Sequence, residues 1–333
     1  MLTLAQRKHN DYKVLGRNNK DILMTTAFIF PGQGSQALGM GKALSESYPL
    51  AKHIFEEVND ALNQDLTAIM WGEDIEALNF TENTQPALMA VSIAVTRVLE
   101  EQGGFTLADK GQYVAGHSLG EYSALTASNA FTIGDTARLL KLRGQAMQRA
   151  VPVGKGAMAA ILGLSFDDVL SLTKESGCEL ANDNSDGQVV ISGAKETVER
   201  ACELATDKGA KRALMLPVSA PFHCSLMQPA AGEMKEALAD TNINTPSLPV
   251  VANVTAQAEN DPEAIRGLLV DQITGRVRWR ESVQWMGGAG ITQMIELGAG
   301  KVLTGLTRRI NKDISGANAQ SPEDIERLLE ILQ

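Results

Sequence analysis

The string Gly116-His117-Ser118-Leu119-Gly120 constrains this chain more than any other. It follows residues 112–116, which read as a strand, and leads into a stretch from about residue 119 that reads as a helix. GxSxG at a strand-to-helix turn is a nucleophile elbow. Its glycines permit a tight bend and close backbone packing, and the bend pushes the serine hydroxyl out of the sheet. The amide of Leu119, at the start of the following helix, then faces the place where an oxyanion would develop. A plain strand–helix turn is the bland alternative.

The surrounding pattern fits an α/β fold with a parallel sheet. Residues 26–30 form a short apolar strand ending in Pro31-Gly32-Gln33-Gly34-Ser35-Gln36. Residues 42–62 read as a helix, with Leu50, Ile54, Val58 and Leu62 at every fourth position. Pro86 is expected to start a helix that Gly103-Gly104 ends, and another is expected over 134–149. Further sheet strands are expected at 250–253 and 294–297, and an amphipathic helix at 321–332.

A different rhythm occupies about 155–218. Strand 157–164, helix 166–174, strands 179–181 and 188–192, helix 196–208 and strand 213–218 give the ferredoxin-like β-α-β-β-α-β order. The expected division is therefore a large α/β domain made of 24–152 and 219–333, with 153–218 as a small inserted domain. Residues 1–23 are polar, with no apolar core of the signal-peptide kind, and read as a dispensable N-terminal extension.

Charge and cysteine usage exclude several roles. The formal net charge of -10 disfavours general nucleic-acid binding. Cys178, Cys202 and Cys224 form no CxxC pair, which argues against a disulfide framework or a zinc site and fits a reducing cytoplasm. No apolar run approaches the roughly 20 residues of a membrane helix.

A serine nucleophile needs a base, and the chain has 4 histidines to try. His9 lies in the extension, His53 on an amphipathic helix, and His117 beside the serine but turned elsewhere by the elbow. That leaves His223, in Ala220-Pro221-Phe222-His223-Cys224-Ser225, where the chain re-enters the large domain. No acidic residue stands out as the third member of a triad. The loop Pro31–Ala37 fits a GxGxxA dinucleotide fingerprint, but its candidate acids, Glu56 and Glu57, lie mid-helix. A second oxyanion donor is the better use for it. Gly298-Ala299-Gly300-Lys301 lacks P-loop spacing. Arg143 has the guanidinium suited to holding a carboxylate, yet its position on a helix does not place it in a cleft.

Taken together, Phe30–Gln36, Thr84-Gln85-Pro86-Ala87, Gly116–Tyr122, Arg143-Gly144, Gly187–Ile191, Pro221-Phe222-His223 and Gly298–Leu303 resemble, in this order, the malonyl-CoA:acyl carrier protein transacylases. The resemblance runs from about Thr26 to Ile310. It implies a large α/β-hydrolase-like domain with a ferredoxin-like insert. It implies Ser118 as nucleophile, His223 as base, and Arg143 as partner of the malonyl carboxylate. The amides of Gln33 and Leu119 would form the oxyanion hole. Gln272 would orient the histidine through its backbone carbonyl, which accounts for the missing acid, and Asn182 would face the cleft. The implied substrates are malonyl-CoA and acyl carrier protein, with no metal or other cofactor, no nucleic acid and no membrane. The implied setting is a cytoplasmic monomer supplying fatty acid biosynthesis.

Two departures stand out: residues 1–23 have no counterpart in that family, and Ala252-Asn253 replaces a pair of asparagines. Arg276, Arg278, Arg280, Lys301, Arg308 and Arg309 are crowded enough to suggest a patch for an acidic carrier protein. The rival readings are a serine esterase or thioesterase, a polyketide-pathway acyltransferase, and a non-catalytic carrier-binding component.

Overall fold

The computed structural model describes residues 24–218 and 220–332. The expected extension 1–23 lies outside the described residues. Two sheets organise the rest. The larger has six strands in the order β10-β9-β1-β2-β7-β8. These are β1 (Thr26–Phe30), β2 (Tyr113–Gly116), β7 (Val250–Val251), β8 (Ala258–Glu259), β9 (Gln293–Leu297) and β10 (Ser315–Ala319). All neighbours run parallel except β7 and β8. This mixed, largely parallel sheet makes the protein an α/β fold. β1 and β9 are buried along their whole length, as befits strands covered by helices on both faces.

The second sheet is antiparallel, in the order β4-β5-β3-β6. It comprises β3 (Gly156–Leu162), β4 (Glu179–Ser185), β5 (Gln188–Ala194) and β6 (Arg212–Met215). Alternation along β3 shows how it is used. Ala157, Ala159 and Ile161 face Val169, Leu172, Val198 and Ala201 on the helices Phe166–Ser176 and Lys195–Asp207. Met158 faces the opposite way and joins the main core.

The two sheets are tied together at Val277. Its amide donates to the carbonyl of Ala181 at 2.8 Å, and its carbonyl accepts the amide of Asp183 at 2.9 Å. Arg280 adds a two-pronged ion pair to the buried Asp183, with contacts of 3.0 and 2.8 Å. The β4–β5 register shifts beside this joint, between Leu180 and Asn182.

Several expected elements differ in extent. The helix expected over 42–62 is two helices, Lys42–Ser47 and Pro49–Leu62, because Pro49 cannot continue the first and instead opens the second. The helix expected from Pro86 begins earlier and runs Thr81–Gly103. Its first turns bury the polar side chains of Thr81, Asn83, Thr84 and Gln85. Gly104 closes it in the left-handed region at φ 65°.

Candidate active site

The site lies at the carboxyl ends of β1, β2 and β7, where ligands of open α/β sheets bind. The chain leaves β2 through a bend so tight that a Cβ on Gly116 would lie 1.9 Å from the backbone of Gly120. Ser118 sits at the apex with φ 54°, a strained conformation for a residue with a side chain. Asn253, just past β7, staples this bend. Its Oδ1 accepts the amide of Ser118 and its Nδ2 donates to the carbonyl of Gly116, both at 2.7 Å.

The bend delivers the serine to a histidine that is 105 positions away in the chain. Ser118 Oγ lies 2.8 Å from His223 Nε2. On the other side of the ring, Nδ1 lies 2.9 Å from the backbone carbonyl of Gln272, in the helix Pro262–Thr274. A carbonyl only accepts, so Nδ1 carries the proton and Nε2 presents its lone pair to the hydroxyl. His223 is 4 % exposed. Burial, reinforced by the charge of Arg143, pushes the imidazole down to about 3. It is therefore neutral, the form a base requires.

Arg143, in the helix Ile133–Ala150, is only 1 % exposed. Its Nη2 donates to Ser118 Oγ at 3.2 Å and to Gln272 Oε1 at 2.9 Å, while Nη1 donates to Gln85 Oε1 at 2.8 Å. All three acceptors are neutral. Among the described residues Arg143 has no carboxylate in an ion pair, and its Nε has no acceptor. A buried cation held only by neutral oxygens is well suited to an incoming anion. Burial lowers its pKa from the ordinary arginine value.

These groups open on a cleft of about 340 Å³, lined also by Gln33, Leu119, Met158 and Asn182. The amides of Gln33 and Leu119 donate to no protein acceptor among the described residues. The buried Oδ1 of Asn182 likewise has no partner.

The remaining sequence candidates fall elsewhere. His117 turns away from the serine and pairs with Asn184 Oδ1 at 2.8 Å, with its ring against Trp279. His53 is exposed on its helix, and His9 lies outside the described residues. After Gly34 the chain turns instead of entering a helix directly, and Gln36 bonds Asn79 at 2.9 Å, unlike a dinucleotide loop. The suspected basic patch is partly neutralised. Arg276 and Arg278 both pair with Glu281, and Arg280 pairs with Asp183, which leaves Lys301, Arg308 and Arg309 as its exposed members, Arg309 donating to the neutral Gln188 Oε1 at 2.9 Å. The cysteines are free. Among the described residues no His, Cys, Asp and Glu cluster is arranged to hold a metal, and no helix is long and apolar enough to cross a membrane.

Gln85, Glu121 and Asn253 stand in sequence blocks already singled out, but sequence reasoning gave none of them a role in the site. Glu121, directly after the elbow, is fully buried. Burial pushes its carboxyl up to about 7, against the hydrogen bonds from Asn253 and Gln272 and the charge of Arg143.

The depressed histidine predicts a pH profile. Protonation of Nε2 removes the base, so a lowered pKa moves the acidic limb downward. We expect kcat/KM for acyl transfer to stay level from neutrality to about pH 5, where an ordinary histidine of pKa ~6.5 would already have lost most activity. A limb centred at the ordinary value would contradict the geometry.

A serine and a neutral imidazole in contact above the carboxyl ends of a parallel sheet are the groups an α/β acyltransferase with a serine nucleophile would need. The acyl transferase domain family matches residues 27–319. The malonyl CoA-acyl carrier protein transacylase of Escherichia coli (strain K12) is 45% identical over 309 residues, covering 92% of this chain and 99% of the relative. The crystal structure of acyl-carrier-protein-S-malonyltransferase from Bartonella henselae superposes with a TM-score of 0.91 at 54% identity, covering 93% and 99% of the two chains. A malonyl-transacylase in complex with its type II PKS acyl-carrier protein superposes with a TM-score of 0.89 at 44% identity, covering 92% and 99%. The chain belongs to the malonyl-CoA:acyl carrier protein transacylase family.

Proposed function

We propose that the protein transfers a malonyl group from malonyl-CoA to the phosphopantetheine thiol of acyl carrier protein through a malonyl ester on Ser118. The observation that carries this is the buried Arg143, without a carboxylate of its own, donating to the same hydroxyl that His223 contacts. An acyl group bearing a carboxylate fits that arrangement; a plain acyl group leaves the guanidinium without an anion.

The cycle follows from the contacts. His223 Nε2 takes the proton of Ser118 Oγ as the oxygen attacks the thioester carbonyl. The amides of Gln33 and Leu119 hold the resulting oxyanion; one such donor is typically worth about 10²–10³ in rate. Collapse breaks the carbon–sulfur bond, and His223 returns the proton to the departing coenzyme A thiolate. The carrier thiol then gives its proton to His223, its sulfur attacks the ester, and Ser118 leaves with that proton. The Gln272 carbonyl stabilises the imidazolium in both halves. Arg143 holds the malonyl carboxylate throughout. Asn182, with its unpartnered oxygen on the cleft wall, would accept an N–H from the pantetheine arm.

We also read 153–218 as a ferredoxin-like unit inserted into a hydrolase-like domain of 24–152 and 219–333. The strand and helix order within β3 to β6 and the separate sheets support that division, though Ser219 lies outside the described residues. A cytoplasmic role in fatty acid synthesis is consistent with the three free cysteines.

Incubation with labelled malonyl-CoA tests the function. A covalent adduct that moves to added holo-carrier protein is the expected result. Rapid release of free malonate, with no transfer to the carrier, would make the protein a hydrolase.

A further inference from the structure

The cycle above gives no task to Glu121, yet burying a carboxyl is costly unless its hydrogen bonds are made. Among the described residues it forms no ion pair. Instead its Oε2 collects two N–H donors, the backbone amide of Asn253 and Nε2 of Gln272, each at 2.9 Å. Each donor residue controls one part of the site. Asn253 holds the amide of Ser118 and so the strained elbow. Gln272 Nε2 also donates to the carbonyl of Ser118 at 3.0 Å, while its Oε1 accepts Arg143 Nη2 at 2.9 Å.

The direction of that carboxamide matters. Flipped, it would turn its NH2 group toward the guanidinium and leave two donors facing each other. The acceptor at Glu121 joins the Arg143 donor and the Ser118 carbonyl in holding the carboxamide in this one orientation. We infer that Glu121 is a positioning residue with two outputs: through Asn253 it fixes the nucleophile, and through Gln272 it fixes the guanidinium that reads the acyl carboxylate. The inference rests on the acyl-serine reading above. It requires an acceptor oxygen at this place, not a charge.

The test compares Glu121→Ala with Glu121→Gln in single-turnover acylation of Ser118 by malonyl-CoA and by acetyl-CoA, alongside melting temperature. In Glu121→Ala malonylation should fall by about 10²-fold, the scale of a small misplacement of reacting groups. Malonyl-over-acetyl discrimination should fall by about tenfold or more. Glutamine, which keeps the acceptor, should restore both to within about threefold of the unmodified protein. A merely structural role would lower both acyl donors equally, and an unchanged ratio overturns the inference. So does a glutamine variant as impaired as the alanine one. If Glu121→Ala does not fold, Glu121→Asp decides: its shorter side chain withdraws the acceptor from Gln272 Nε2 and the Asn253 amide while leaving Gln272 and Arg143 intact, and it too must lose malonyl-over-acetyl discrimination. Failure of the underlying reading looks different: the unmodified protein would then form no adduct on Ser118 at all.

Discussion

Ser118→Ala should abolish the covalent acyl-enzyme and reduce malonyl transfer by at least about 10⁴-fold, the scale seen when a nucleophile acting as part of a unit is removed. The reason is that, among the described residues lining the cleft, Ser118 carries the only hydroxyl and there is no thiol. The thiol adjacent in sequence to the base, Cys224, is buried, donates to the Pro221 carbonyl at 3.1 Å, and is pushed up in pKa chiefly by burial. The lost hydroxyl contacts only His223 and Arg143, so the fold should survive with a nearly unchanged melting temperature. Intact-mass analysis after exposure to malonyl-CoA gives the answer. An alanine variant that still carries the acyl group would move the chemistry to another residue.

Arg143→Ala should separate the two acyl donors. Malonyl transfer is expected to fall by about 10²–10³-fold, the loss that follows when one member of a desolvated charge pair is removed. Acetyl transfer should hold or rise. The unmodified site keeps a guanidinium out of water with three neutral oxygens around it, an arrangement that is completed only by an anion. Acetyl brings none, so its complex loses nothing with the cation. The same variant removes one of the influences that lower His223, so its acidic limb should move toward the ordinary histidine value. Measuring kcat/KM for both thioesters across pH checks both points. An equal fall for both donors would mean that Arg143 serves the fold and not selectivity.

Much of the scaffold was legible because it follows short-range rules. The elbow is written in consecutive residues, and β1 is a largely apolar run, whereas β9, Gln-Met-Ile-Glu-Leu, buries two polar residues. The β3–β6 unit announces its strand and helix order through alternating periodicities, although β4 and β5 run on to Ser185 and Ala194 while β3 and β6 stop short of the expected ends, at Leu162 and Met215. With 4 histidines in the chain, placing each on its expected element singled out His223, which lies 2.8 Å from Ser118 Oγ. What escaped was long-range or polar. The helix Thr81–Gly103 was read as starting late because Pro86, taken as its first residue, lies inside it, and the turns before it bury polar residues such as Thr84 and Gln85. β10, Ser-Gly-Ala-Asn-Ala, has almost no strand propensity and exists because β9 offers it an edge. Arg143 resembles any helix arginine until Gln85 and Gln272, separated from it by 58 and 129 positions, are brought alongside. The basic cluster looked free because its partners, Asp183 and Glu281, are assigned only by the way the sheets meet.

The joint at Val277 bears on how this protein would diversify. Main-chain pairing on both sides of one residue, backed by a guanidinium clamped on a sealed aspartate, leaves the upper wall of the cleft little freedom to swing. A bulkier guest would have to break these bonds before the aperture could widen. New acyl preferences would then have to arise by re-papering the walls, residue by residue at places such as Met158 and Phe222, while the frame that sets their spacing stays as it is.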